Sequence, residues 1–483
     1  MVTERATKTT KARPRRSLAV VVLAAGKGKR LKSAIPKVLH PICGKPALWH
    51  VLQLARAARP KKIVVVVGHG AADVRAAVRS WGLEPAPVFV EQSEQLGTGH
   101  AVLAAERAVG RVDDVLVLGG DFDPVTERDV RSLLRTHRRS GAAVTLASTE
   151  LDEPGGYGRV VREGSRLVEI VEDVDASPHV RAIREVSIVL FAFRRTALFS
   201  VLPELDRKNR QREYYLNRTV PLLLERGEKA AVVRVDTGGV MGLNSRDGLA
   251  AVERVVRRRI NDAHLASGVT LIDPVATYID VGVWIGRDTV IRPNTFLEGD
   301  TKIGAACEIG PSARIVDSAV GDRSEVSFAV VIGSTIGRDV TVGPFVRMRP
   351  GTVMRDRSKA GAFVDLKAST IGEGSKVPHL SYVGDTEMGR DVNVGAATVT
   401  VNFDGWEKHR TVIEDGASIG SDTMLIAPVR VGKGAATGAG SVITKDVPAG
   451  ALAVERSEQR TVPGYRARKE AERRRGKAER EGT

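Results

Sequence analysis

Cysteine is nearly absent: Cys43 and Cys307 are the only two in 483 residues. Two thiols cannot frame a disulfide scaffold, and their scarcity fits a reducing compartment. Aromatic residues make up 4% of the chain, too few for the stacking platforms of a single-strand nucleic-acid binder. No apolar run approaches the ~18 residues of a membrane span. Hydrophobic residues nevertheless reach 42%, which excludes wholesale disorder. At roughly 100–200 residues per domain the length predicts two to four folded units. Glycine, with 49 residues, is abundant and implies many tight turns.

The formal charge is +16, which raises the question of nucleic acid. Part of the excess sits at two ends without apolar periodicity. These predict a disordered basic tail over 1–16 and a charged tail over 463–483. The rest is spread thinly, and anionic small substrates account for it as well as a polynucleotide would. No specific nucleic-acid partner is expected. Arg15-Arg16 before SLAVVVLAAG imitates a twin-arginine signal. The basic glycine turn that follows, GKGKR (26–30), is wrong for a cleavage region. The run therefore reads as a buried parallel strand and the chain as cytoplasmic.

From 17 to 245 the pattern alternates strand and helix. LAVVVLAAG (18–26), KIVVVVGHG (62–70), VLVLGGD (115–121) and AAVTLAS (142–148) read as strands, and WHVLQLARAAR (49–59) as a helix. Such alternation predicts an α/β unit, a parallel sheet with helices on both faces. Its ligands belong at the carboxyl ends of the strands, where Gly26, Gly120 and Asp121 fall. Residues 246–267 carry three-four apolar spacing and predict one connecting helix.

After 268 the grammar changes. Ile285, Ile291, Leu297, Ile303, Ile309 and Ile315 stand six apart, and Gly follows three of them. The theme returns at Ile332-Gly333, Val383-Gly384, Ile419-Gly420 and Val431-Gly432. A six-residue period with glycine after the apolar position predicts a parallel β-helix over 268–462. A prism of this kind presents flat sides, so trimerisation is expected.

Particular motifs carry a resemblance. In the first half they are LAAGKGKRLKS (23–33), PKVLH (36–40), EQLGTGHAV (94–102), GYGRV (156–160), IVEDVDA (170–176) and GLNSR (242–246). In the second they are MRPG (348–351), VDLK (364–367), VPHLSYVGD (377–385), NVGAATVTVNFDG (393–405) and GSDTM (420–424). Together they resemble the bacterial family that is both N-acetylglucosamine-1-phosphate uridyltransferase and glucosamine-1-phosphate N-acetyltransferase. The resemblance spans about residues 17–465. It implies a Rossmann-like nucleotidyltransferase domain followed by a left-handed β-helix, working together to make UDP-N-acetylglucosamine for the cell wall.

Uridylyl transfer needs a triphosphate held and neutralised while a sugar phosphate attacks the α-phosphorus. Backbone N–H groups at Gly26 and Gly28 can surround phosphates, and Arg30 and Lys37 can neutralise the leaving pyrophosphate. The resemblance implies that Leu23, Ala24, Ala25, Gly26, Gln92, Gly97 and Thr98 hold UTP. It implies Gly158, Glu172 and Ser187 at the amino sugar, and Mg²⁺ on Asp121 and Asn244. Glycine at a strand end is ordinarily only a turn and a lone Asp a helix cap; the surrounding motifs give Asp121 its functional reading. Departures from the family cluster here. Lys29 stands for Thr, Asp123 for Pro, Ser187 for Asn, Val189 for Gly, and Asn217-Arg218 for Thr-Asp. Three consequences stay open: a tolerant site, a site for another sugar phosphate, or a silent one.

Acetyl transfer needs a base for the amine and a donor for the oxyanion. His379 is the candidate base, since imidazole titrates near neutrality. The resemblance implies Arg349 and Lys367 on the sugar phosphate, and Tyr382 and Asn393 orienting the sugar. It implies Ala396, Asn402, Phe403, Ser421, Ala439 and Arg456 around acetyl-CoA, with Lys408 available for its phosphates. Departures are milder: Phe403 for Tyr, Asp365 for Glu, Ala397 for Gly.

Overall fold

The computed structural model describes residues 16–239 and 242–481, so the proposed basic tail lies almost wholly outside the described residues. Two units separate, one built from the chain up to about Ala263 with Tyr278–Val281, the other from His264–Thr277 and Gly282 onward.

In the first unit the β-branched runs form the middle of a nine-stranded sheet among the described residues. Its main path runs Ala230–Arg234, Val144–Glu150, Glu185–Arg194, Asp114–Gly119, Leu18–Ala24, Lys62–Val67, Val88–Glu91. Leu18–Ala24 lies between two parallel neighbours, Lys62–Val67 and Asp114–Gly119. Val20, Val21 and Val22 are fully buried, as a strand covered on both faces requires. Arg16, half of the twin-arginine pair, reaches the buried Asp114 at 2.7 Å.

The expected parallel sheet is corrected in part: Glu185–Arg194 runs antiparallel to both Asp114–Gly119 and Val144–Glu150, and Arg159–Glu163 and Arg166–Val171 join the sheet through antiparallel pairs. The connection into Glu185–Arg194 is the hairpin Arg159–Glu163/Arg166–Val171 rather than a crossover helix, and an antiparallel return needs no crossover. The helix Arg246–Ala266 inserts Val252 and Val256 into the first unit's core, so it is a packed element as well as a connection.

The second unit is a left-handed parallel β-helix of three long sheets. Inward aliphatics stack coil on coil: Ile285 pairs with Ile303, Ile291 with Ile309, Leu297 with Ile315. All are buried, and each contributes about 1.5–3 kcal/mol by leaving water. Buried hydroxyls satisfy the corners, as where Thr289 donates to the Gly304 carbonyl at 2.7 Å and Ser318 to that of Val316 at 2.7 Å. The next partner of Val399 up the stack is Met424, and the longer coil between them ejects a loop around 403–410. The tail expected beyond 463 forms the helix Tyr465–Glu481, exposed along most of its described length. Among the described residues no helix is long and apolar enough to cross a membrane.

Candidate functional site

In the first unit a cavity of 520 Å³ opens at the carboxyl ends of Leu18–Ala24 and Asp114–Gly119. It brings together Leu23, Ala25, Gly26, Lys37, Gln92, Gly97, Thr98 and Asp121, all candidates from the sequence. Ala24 lies behind this lining as a buried strand residue. The loop after the first strand turns at Gly28, φ +58°, where a Cβ would sit 2.7 Å from that of Lys37. Only glycine lets the loop fold onto Lys37.

Lys37 is the hub. Its ammonium donates to the Asp121 carboxylate and, at 2.8 Å, to the Asn244 carboxamide oxygen. Three distant segments thus meet at one cation. Asn244 does not itself line the cavity, but Tyr157 lies against it. Burial, with Asp121 beside it, pushes the Asp123 carboxyl up to about 7, against the pull of Lys37 and the Gly242 N–H. Burial, reinforced by Asp123, likewise pushes the Tyr157 phenol up to about 12.

Several candidates sit elsewhere. Arg30 is exposed and away from the lining, and Lys27 of the same loop is the cation that lines it. Gly158 and Glu172 form a separate cluster with Asn217, whose amide donates to Glu172 at 2.7 Å. Burial pushes the Glu172 carboxyl up and that amide opposes it. Ser187 is buried, with its hydroxyl turned to the Ile188 carbonyl at 3.4 Å. Val189, across a break in register, does line the cavity beside Gly119 and Asp121. Thr98 is occupied as acceptor for the Leu216 N–H at 2.9 Å, and the Gln92 amide donates to the Gly97 carbonyl at 3.1 Å. Sequence reasoning missed Lys27, Gln95 and Glu213; only Lys27 had a signal, its place in the basic loop.

In the second unit consecutive coils assemble a charged cluster. Arg349 binds Asp365 through both carboxylate oxygens and lies over the Tyr382 ring, 6.0 Å from its centroid. Lys367 donates to Asp385 at 2.8 Å, and the Asn402 amide reaches the same carboxylate. Asp385 holds Lys367 above its ordinary range, and Lys367 in turn holds Asp385 below it, against burial. Lys408 lies against Lys367, which pulls it down, so Lys408 belongs with this cluster. Asp385 was missed, although it stands in the quoted VPHLSYVGD.

His379 ends the strand Lys376–His379 with its ring exposed and making no hydrogen bond among the described residues. Asn393 lies in the next strand of that sheet. Ala396, Ser421 and Ala439 climb one corner of the prism, linked by main-chain bonds from Asp422 to Ala396 and from Gly440 to Ser421. Arg456 caps the column on the Ala439 carbonyl at 3.0 Å. Phe403 is exposed and opens the ejected loop, which Asp404 fastens by accepting from the Trp406 and Glu407 N–H groups and pairing with His409 at 2.7 Å.

Residues 20–220 match the MobA-like NTP transferase domain. Similar curated proteins, each titled bifunctional protein GlmU, align over nearly the whole chain. That of Caldanaerobacter subterraneus is 45% identical over 449 residues, 93% of this chain and 97% of the relative. That of Heliobacterium modesticaldum is 46% identical over 452 residues, 93% and 98%. That of Thermotoga maritima is 45% identical over 453 residues, 94% and 99%. With relatives of 45% and 46% identity aligned over nearly their whole length, the chain belongs to the GlmU family of bifunctional proteins.

Proposed function

We propose that this chain makes UDP-N-acetylglucosamine in two steps, acetylation of glucosamine-1-phosphate followed by uridylyl transfer from UTP. The observation that carries the first-domain reading is the convergence of Lys37, Asp121 and Asn244 at the cavity. Leu23, Ala24, Ala25, Gly26, Gln92, Gly97 and Thr98 would hold the nucleotide, and Gly158 and Glu172 the sugar, while the hydroxyl of buried Ser187 turns to the Ile188 carbonyl instead. The attacking sugar phosphate is already anionic, so no general base is needed. As the pyrophosphate leaves, Lys37 meets the developing charge, an electrostatic contribution made in the transition state.

The donor chemistry fits Mg²⁺. Asp121 and Asn244 offer two hard oxygens at a point that already accommodates a cation. Among the described residues no cluster of three His, Cys, Asp or Glu side chains forms a protein cage, so phosphates and water would complete the shell. The ion, when bound, would screen the triphosphate charge.

In the second domain the amine nitrogen attacks the thioester carbonyl, His379 takes its proton, and CoA leaves as the thiol. Arg349 and Lys367 meet the sugar phosphate, with Tyr382 and Asn393 orienting the ring. The small residues of the Ala396–Ser421–Ala439 corner leave room for acetyl-CoA between Asn402, Phe403 and Arg456. Lower on the same edge Phe328, Phe345 and Phe363 stack with centroids 5.5 and 5.2 Å apart, 40%, 55% and 60% exposed. Such a ridge needs covering, which supports a homotrimer closed along it.

The test follows both products on the full chain: pyrophosphate from UTP and N-acetylglucosamine-1-phosphate with Mg²⁺, and free CoA from acetyl-CoA and glucosamine-1-phosphate. Release of both supports the reading; release of neither overturns it. Val189 in the cavity lining favours a second reading, an active acetyltransferase whose first domain takes another sugar phosphate.

A further inference from the structure

The first unit carries a second cavity, of 540 Å³, lined by Ala57, Ala58, Leu134 and five arginines: Arg59, Arg131, Arg135, Arg138 and Arg139. It lies at the end of the helix Ala47–Ala57 and along the helix Glu127–Ser140, just before the chain enters the strands Lys62–Val67 and Val144–Glu150. It therefore sits at the amino ends of the strands, whereas Gly26 and Asp121 lie at the carboxyl ends. A six-residue strand puts roughly 20 Å between those levels.

Among the described residues no carboxylate lines this cavity. Arg131 is answered by Glu127 on its own helix at 2.7 Å. Arg138 stands 3.5 Å from the buried Asp114, which also serves Arg16 and His137, and the Arg138 Nε is buried without a hydrogen bond. Arg59, Arg135 and Arg139 have no acidic partner among the described residues. Arg131, Arg135 and Arg139 are four apart and share a helix face, an arrangement that repels itself. The helix carboxyl end favours cations, but that favour reaches only the last turn. Arg59 is held at φ +53° just past its helix, where glycine is the ordinary choice.

We propose that this arginine cavity binds a small oligophosphate anion, separately from the nucleotide cavity. Guanidinium groups keep their charge and grip phosphate oxygens in pairs. Three unanswered ones match an anion of three or more charges, and the volume suits a small ligand rather than a polymer.

Inorganic tripolyphosphate titrated calorimetrically into the full chain at low salt tests it. Binding lost in Lys37→Ala marks the nucleotide cavity and binding lost in Lys367→Ala the cluster of the second unit; a further class is expected that neither variant touches and that weakens roughly a hundredfold in the double variant Arg135→Gln/Arg139→Gln, as two charge-assisted bonds imply. Glutamine keeps helix propensity at these exposed positions, and retained pyrophosphate release from UTP checks the fold of the double variant. Arg59→Gln, on the opposite wall, should weaken the same class. A single class abolished by Lys37→Ala, or unchanged binding in the arginine variants, overturns the proposal.

Discussion

Lys37 and Asn244 stand 207 residues apart and meet at 2.8 Å. The Asp121 carboxylate shares the same ammonium. The loop that carries Lys37 can approach only because Gly28 has no side chain, so the contact depends on a turn as much as on charge.

Lys37→Ala should therefore lower uridylyl transfer by about 10²–10³, the usual loss for one transition-state donor. Acetyl transfer should be unchanged, because Lys37 belongs to the other unit. Pyrophosphate and CoA release on one preparation give both numbers. A fall of less than tenfold would count against Lys37 as the neutralising group.

The Lys367–Asp385 pair carries a pH signature. The folded carboxyl of Asp385 is lowered, so its contribution to stability is present above ~4, the unfolded carboxylate range. It is lost as pH falls through the folded value. Lys367 is raised, so its share is present below ~10.4 and lost as pH rises through its folded value. The gap in Tm between the wild-type chain and Asp385→Asn should be widest near neutrality and close in acid. A gap independent of pH would show that the pair does not contribute through charge.

Much of this was legible beforehand, for identifiable reasons. The β-helix announces itself because each coil must bury an aliphatic every sixth residue, and Ile291 over Ile309 is that requirement written twice. The direction of Glu185–Arg194 left no such trace: a doubly covered strand has the same apolar composition whichever way it runs. Asp385 was hidden because coil stacking brings it to Lys367 across 18 residues. Lys27 and Arg30 are both cations of one loop, and only the turn between them decides which meets the cavity.

Val189 offers a test of substrate choice. Val189→Gly enlarges the cavity beside Asp121 and costs about 0.5–1 kcal/mol for glycine in a strand. If the valine excludes N-acetylglucosamine-1-phosphate, kcat/KM for that substrate should rise in the variant. An unchanged or lower value would mean that the native cavity already accepts the sugar.

The aromatic edge makes the last prediction. Phe345 lies between Phe328 and Phe363 and is stacked on the latter with an interplanar angle of 13°. A ridge so exposed marks an interaction surface, and the proposed trimer would cover it. Phe345→Glu should leave each prism folded, since the side chain points away from the stacked aliphatic core, but should dissociate the proposed trimer in light scattering. Because the corner proposed for acetyl-CoA continues that edge, CoA release should fall with the proposed trimer while pyrophosphate release persists. A wild-type chain that scatters as a monomer would remove the ridge from this role.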